Sequence, residues 1–132
     1  RAARGCCAGA YPITPQTDPN WMMLFINTDQ SKETGWEGYN ILANWPVLDA
    51  HTTTVQRNLD GWSWEPVGVA NFRVEGSQLM LAIPRGLVGL AESPLKFDFH
   101  WADNMPCSGN IDDFFLYGDS APSRRFDYRF LE

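Results

Sequence analysis

Turn-forming residues interrupt this chain roughly every ten positions. Eleven glycines and nine prolines cut it into short pieces, which disfavours a long helix bundle. The pieces between them are apolar and often alternating, as short strands are. The clearest is 95–101, where Leu95, Phe97, Phe99 and Trp101 form an apolar face and Lys96, Asp98 and His100 a polar one. Residues 21–26 are apolar throughout and read as a strand buried on both faces. Glu75-Gly76 separates two alternating runs and predicts a hairpin, as Asp60-Gly61 does further upstream. Further strands are expected at 39–44, 52–57, 62–64 and 125–130. The run 52–57 is β-branched but polar, so it is placed at a sheet edge. Short helical turns fit 84–90 and 113–117. About eight short strands in this spacing predict an all-β antiparallel β-sandwich.

A length of 132 residues suits a single domain, 1–132, and allows one proper core. With 44% apolar and 20% charged residues the chain is neither disordered nor collagenous. Its ten Lys and Arg are scattered and the net charge is -6, which argues against a nucleic-acid partner. No apolar run approaches the roughly 20 residues of a membrane span, so no membrane partner is expected. The start, Arg1-Ala2-Ala3-Arg4-Gly5-Cys6-Cys7, has no apolar stretch behind it and is not read as a signal peptide. A cleaved signal or an excised domain fits this start. Residues 1–10 read as an irregular N-terminal arm. Cys6, Cys7 and Cys107 have no zinc spacing. They admit one bridge from Cys6 or Cys7 to Cys107, or three free thiols.

No nucleophile elbow, phosphate loop or paired-histidine motif occurs. His51 and His100 lie far apart, and His100 is read as a polar-face strand residue. Sixteen carboxylates always offer pairs, so no catalytic pair is named. Tryptophan is the informative residue type, with six in the chain. A flat indole can stack on the apolar face of a pyranose while polar neighbours fix the hydroxyls. Trp21 and Trp101 lie on strand faces and are read as core. Trp36 sits in a glycine-flanked turn as a cap. Trp45 sits in Asn44-Trp45-Pro46 with no periodic reason for burial, and Trp62 and Trp64 point the same way two residues apart. These three are the candidate saccharide platform. The oxygen-rich run 27–34 can hold Ca²⁺ through Asn27 and Asp29, or be a solvated turn.

A resemblance enters at Asn20-Trp21-Met22-Met23-Leu24-Phe25-Ile26-Asn27-Thr28-Asp29, followed by Thr34-Gly35-Trp36-Glu37-Gly38-Tyr39-Asn40. Gly61-Trp62-Ser63-Trp64, Leu81-Ala82-Ile83-Pro84-Arg85, Phe99-His100-Trp101-Ala102-Asp103-Asn104 and Gly118-Asp119-Ser120-Ala121-Pro122 follow in order. Over about 11–130 the chain resembles the type-9-like carbohydrate-binding modules of the DOMON-like superfamily. That resemblance implies a jelly-roll-like sandwich appended to a secreted, extracellular glycan-degrading enzyme, binding a polysaccharide or oligosaccharide without catalysis or a required cofactor. It adds Arg85, Asp103 and Asn104 to the saccharide-binding candidates, with a charged pair expected among Arg85, Arg125, Asp103 and Asp119. It also implies early edge strands that 1–10 do not supply, so an open edge and a homodimer are expected. The other readings are a small glycoside hydrolase with an Asp/Glu pair and a structural domain packed on a neighbouring catalytic domain.

Overall fold

The computed structural model of the chain describes residues 2–8, 20–123 and 125–132. Of the expected N-terminal arm, 1–10, residues 1, 9 and 10 lie outside the described residues. The strands are β1 (Ala2–Ala8), β2 (Met23–Asn27), β3 (Ile41–Val47), β4 (Thr52–Asp60), β5 (Ser63–Glu75), β6 (Gln78–Pro84), β7 (Lys96–Asp103), β8 (Asp119–Ala121) and β9 (Tyr128–Leu131). A 3-10 turn covers Arg85–Val88, and a single α-helical turn, α1, covers Asp113–Leu116. The strands join one curled sheet in the order β1-β6-β5-β4-β3-β2-β7-β8, with β9 also on β7. Every strand pairing is antiparallel. The expected all-β antiparallel architecture therefore holds. No helix of the described residues is long and apolar enough to cross a membrane.

Alternation along the strands builds a core on each face of the sheet. Leu24 and Ile26 of β2 join Ile41, Val55, Phe72, Leu79, Leu81 and Trp101 on the first face. Met23 and Phe25 join Leu42, Ala102, Trp36, Tyr39, Met105 and Phe114 on the second. Double-sided burial is why 21–26 reads as an unbroken apolar run. The hairpins at Gly61 and Gly76 form as expected, with Asp60 opposite Ser63 and Glu75 opposite Gln78.

Four expectations change. The segment taken as an irregular arm forms β1, paired along its length with β6 from Ala2↔Pro84 to Ala8↔Gln78. Small residues with weak strand propensity are held there by a partner strand, which no local pattern announces. Next, β2 lies between β3 and β7. It offers no open edge, and that ground for expecting a homodimer is removed. Thirdly, β4 is interior, between β3 and β5. Its polar residues tolerate burial because they have partners: Thr53 donates to the Pro46 carbonyl at 3.4 Å and Gln56 to the Trp45 carbonyl at 2.6 Å. Finally, the polar face of β7 is covered. Asp98 and His100 are both buried, Asp98 by a two-pronged pair with Arg129 of the adjacent strand at 2.9 and 3.1 Å.

Candidate functional site

Bulges place the tryptophans. Between β3 and β4, Ala43 faces Val55 and Val47 faces Thr53. Four steps on β3 are thus spanned by two on β4, so Asn44, Trp45 and Pro46 arch out of the ladder. Asn44 takes the left-handed conformation at φ 66. Its side-chain amide donates to the carbonyls of Trp21 and Met22 at 3.1 and 3.0 Å, pinning the arch to the neighbouring segment. A bulge of this kind re-aims a side chain, and Trp45 is turned out of the ladder into a half-buried position. Two more irregularities, between Val55/Gln56 and Asn58/Asp60, set the start of β5. Trp62 stands in the hairpin turn and Trp64 on the strand.

The three indoles meet. Trp62 lies 6.0 Å from Trp45 at 43° and 5.7 Å from Trp64 at 85°. With Pro46, Gln56 and Ser63 they line a groove of about 540 Å³, within the 300–1,000 Å³ usual for small-molecule sites (about that range). Trp45, Trp62 and Trp64 all pack on the second core. The groove thus has a rigid floor. Trp36 packs edge-on against Trp62 at 4.6 Å and donates its indole N–H to the Gly109 carbonyl at 3.0 Å. Gly109 sits at φ +82, and an added Cβ would come within 2.8 Å of Trp62. Only glycine lets that loop lie flat on the indole. Gly35, at φ +68, is needed for a different reason, the close approach of backbone within the Trp36 turn. A Cβ there would meet the Tyr39 carbonyl oxygen at 2.0 Å.

Comparison with known protein families, with curated proteins and with solved structures gives no match.

The remaining candidates do not line the groove. Arg85 is buried and donates to the carbonyls of Leu90 at 2.7 Å and Glu92 at 3.0 Å, closing the chain around the 3-10 turn. Asp103 accepts the backbone N–H groups of Met22 and Asn104, each at 3.1 Å. The Asn104 backbone N–H also reaches the Asn20 carbonyl at 3.0 Å. These contacts fix strand ends, where Met22 and Asn104 both have positive φ. Arg125 pairs with Glu37 at 3.0 Å. Asp119 is exposed. Asn27 is wholly buried and donates to the Ser31 carbonyl at 2.8 Å. Asp29 accepts from the Ser31 N–H at 3.0 Å and the Thr34 hydroxyl at 2.7 Å, as turn residues do. Among the described residues no three His, Cys, Asp or Glu gather around a common point. Cys107 is a free thiol, and burial pushes it up to about 11, well away from thiolate chemistry.

A second constellation escaped the sequence reading because its members are distant in the chain. Asp127 accepts from the Tyr39 hydroxyl at 2.5 Å and pairs with Lys32. Beneath it His100 stacks on Phe114 at 4.2 Å and meets the Phe126 carbonyl at 2.8 Å through Nδ1. An imidazole facing a carbonyl carries its proton on that nitrogen. Desolvation lowers the His100 pKa below its ordinary 6.5, against the opposing pull of the Phe126 carbonyl and Asp127. The unfolded chain therefore gains a proton near pH 6.5 that the folded chain refuses. The stability is complete above pH 6.5 and declines as pH falls below it, by at most about 1.4 kcal/mol per pH unit. Urea unfolding at pH 7.5 and 5.5 checks this. The His100→Leu variant should show a smaller decline across that interval, and an unchanged decline would remove His100 as its source.

Proposed function

We propose that the chain is a non-catalytic carbohydrate-binding module that holds a polysaccharide or oligosaccharide in the tryptophan groove. The observation that carries this reading is the convergence of Trp45, Trp62 and Trp64 on one groove through backbone irregularities in two strand pairings, β3–β4 and β4–β5. Three tryptophans around a single concavity offer flat apolar faces to the C–H surfaces of pyranose rings. Gln56 and Ser63 are the polar side chains beside them. None of the six lining residues is a carboxylate. Binding without hydrolysis is therefore favoured over a glycosidase, which works through a carboxylate pair. The resemblance to type-9-like modules supports the same reading, with attachment to a secreted glycan-degrading enzyme.

Affinity electrophoresis against soluble neutral polysaccharides tests it. The whole chain should be retarded by at least one of them, with no release of product. Trp45→Ala should weaken that retention about tenfold or more, the effect of losing one aromatic anchor. Trp45 is half-buried and packs on the second core, so the thermal midpoint should fall by several degrees, and retention is compared well below the midpoint of the variant. Free migration of the unaltered chain through every gel, or equal retention of Trp45→Ala, would sink the proposal.

A further inference from the structure

A second concavity lies on the same face of the sheet as the groove. It holds about 260 Å³ and is lined by Lys32, Glu37, Tyr39, Ile111 and Arg125. Trp36 separates it from the groove, touching Trp62 at 4.6 Å on one side and Tyr39 at 6.1 Å on the other. Unlike the groove, this cleft is walled by charge. Lys32 is held over the Tyr39 ring at 5.7 Å and against Asp127. The Asp127 side chain is only 6% exposed, and with Tyr39 also bonded to it, it cannot easily leave. Arg125 is held differently. Its partner Glu37 is 40% exposed in its side chain and meets the guanidinium at 3.0 Å.

Glu37 has φ 52, a left-handed conformation that a glutamate rarely adopts. The tight turn with the Trp36↔Tyr39 bridge imposes it, against the steric preference of an L-residue. That turn presents the carboxylate to Arg125 across the mouth of the cleft. A guanidinium offers five donors in a planar fork, matched to a carboxylate, and an exposed ion pair is weak because water screens it and two long side chains must be ordered. Glu37 can thus be displaced cheaply by a second carboxylate that also reaches Lys32.

We infer that this cleft binds the carboxylate of an acidic sugar, with Arg125 and Lys32 as its anchors and Glu37 as the group it displaces. The sugar part of this inference rests on the saccharide reading of the groove; the anion part does not. With Glu37 turned away, Lys32 and Arg125 outweigh Asp127 by one charge. The chain as a whole carries -6, so a densely charged polyanion is repelled at long range. One carboxylate on an otherwise neutral glycan fits both facts, because beyond about 10 Å the field of the chain is screened at moderate salt.

Titrations of the whole chain with D-glucuronate, D-glucose and acetate test the inference, with a neutral oligosaccharide as separate probe of the groove. Glucuronate should bind about tenfold or more tightly than glucose or acetate. Arg125→Gln should abolish that preference. Glu37→Gln should tighten glucuronate severalfold, because it removes the competing carboxylate. Both side chains are exposed, and thermal melts confirm that the variants fold. Tightening in Glu37→Gln is the opposite of what damage to the turn would give. Equal binding of acetate and glucuronate, no binding of glucuronate, or weakening in Glu37→Gln would each overturn the inference. If glucuronate binds as expected while the neutral oligosaccharide does not, the cleft stands and the groove reading falls.

Discussion

Phe25→Ala is expected to lower the stability of the fold by about 3–5 kcal/mol. Phe25 is fully buried at the centre of β2. Its ring touches Phe114 at 5.1 Å, Tyr39 at 5.4 Å, Trp36 at 5.5 Å, Trp62 at 6.3 Å and Trp64 at 6.4 Å. These five rings come from the turn after β2, the β4–β5 hairpin and α1. The backbones that carry them are fixed by separate hydrogen-bond sets, so they cannot close together over the missing ring. The residual cavity adds to the lost transfer energy. Phe97 is the comparison. It is half-buried and stacks on Phe130 at 5.2 Å near the end of the sheet, so Phe97→Ala should cost about half as much or less. Chemical denaturation followed by far-ultraviolet circular dichroism measures both. Equal losses in the two variants would show that Phe25 is not the keystone of the second core. Because Trp62 and Trp64 rest on this ring, Phe25→Ala should also weaken retention by any polysaccharide that the groove binds.

The second core also explains what the sequence could and could not tell. Periodicity reports whether a side chain is buried, not what covers it. The alternation at 95–101 correctly separated Phe97, Phe99 and Trp101 from Lys96, Asp98 and His100, and the strand is there as β7. Yet Asp98 and His100 are buried too, because Phe114, Arg129 and the 126–127 segment arrive from the end of the chain to cover them. Similarly, β1 was illegible because its strand character comes from pairing with β6, some 75 residues away. Trp45 stood out in the sequence by lacking a period, and a bulge is the physical reason for that lack. Arg85, Asp103 and Asn104 were drawn toward a ligand by the company they keep in the resemblance. In the fold the Arg85 side chain, the Asp103 carboxylate and the Asn104 backbone N–H serve backbone groups at turns and strand ends. Lys32, Tyr39 and Arg125 carried no local signal, since a cleft assembled from three loops has no spacing to read.

The contact that closes that cleft from below should matter almost as much as Phe25. Asp127→Ala is expected to cost about 2–4 kcal/mol. Tyr39 is 2% exposed, and its hydroxyl has the Asp127 carboxylate at 2.5 Å. Burial first, and then this carboxylate, hold the phenol far above its ordinary pKa of 10, so it stays a neutral donor throughout the stable range. Removing Asp127 leaves that donor in a site water does not reach freely, which costs about 1–3 kcal/mol. Lys32 loses its counter-charge at the same time, a smaller effect because its side chain is 59% exposed. Since Asp127 lies between β8 and β9 while Lys32 and Tyr39 lie between β2 and β3, the loss also unfastens the covering segment from the sheet. A double-mutant cycle separates these contributions. Tyr39→Phe removes the donor along with its need for a partner, so Asp127→Ala should cost clearly less in that background. If the two variants prove additive, the Tyr39–Asp127 hydrogen bond is not what makes Asp127 matter, and the cost must come from Lys32 and the backbone of 126–127.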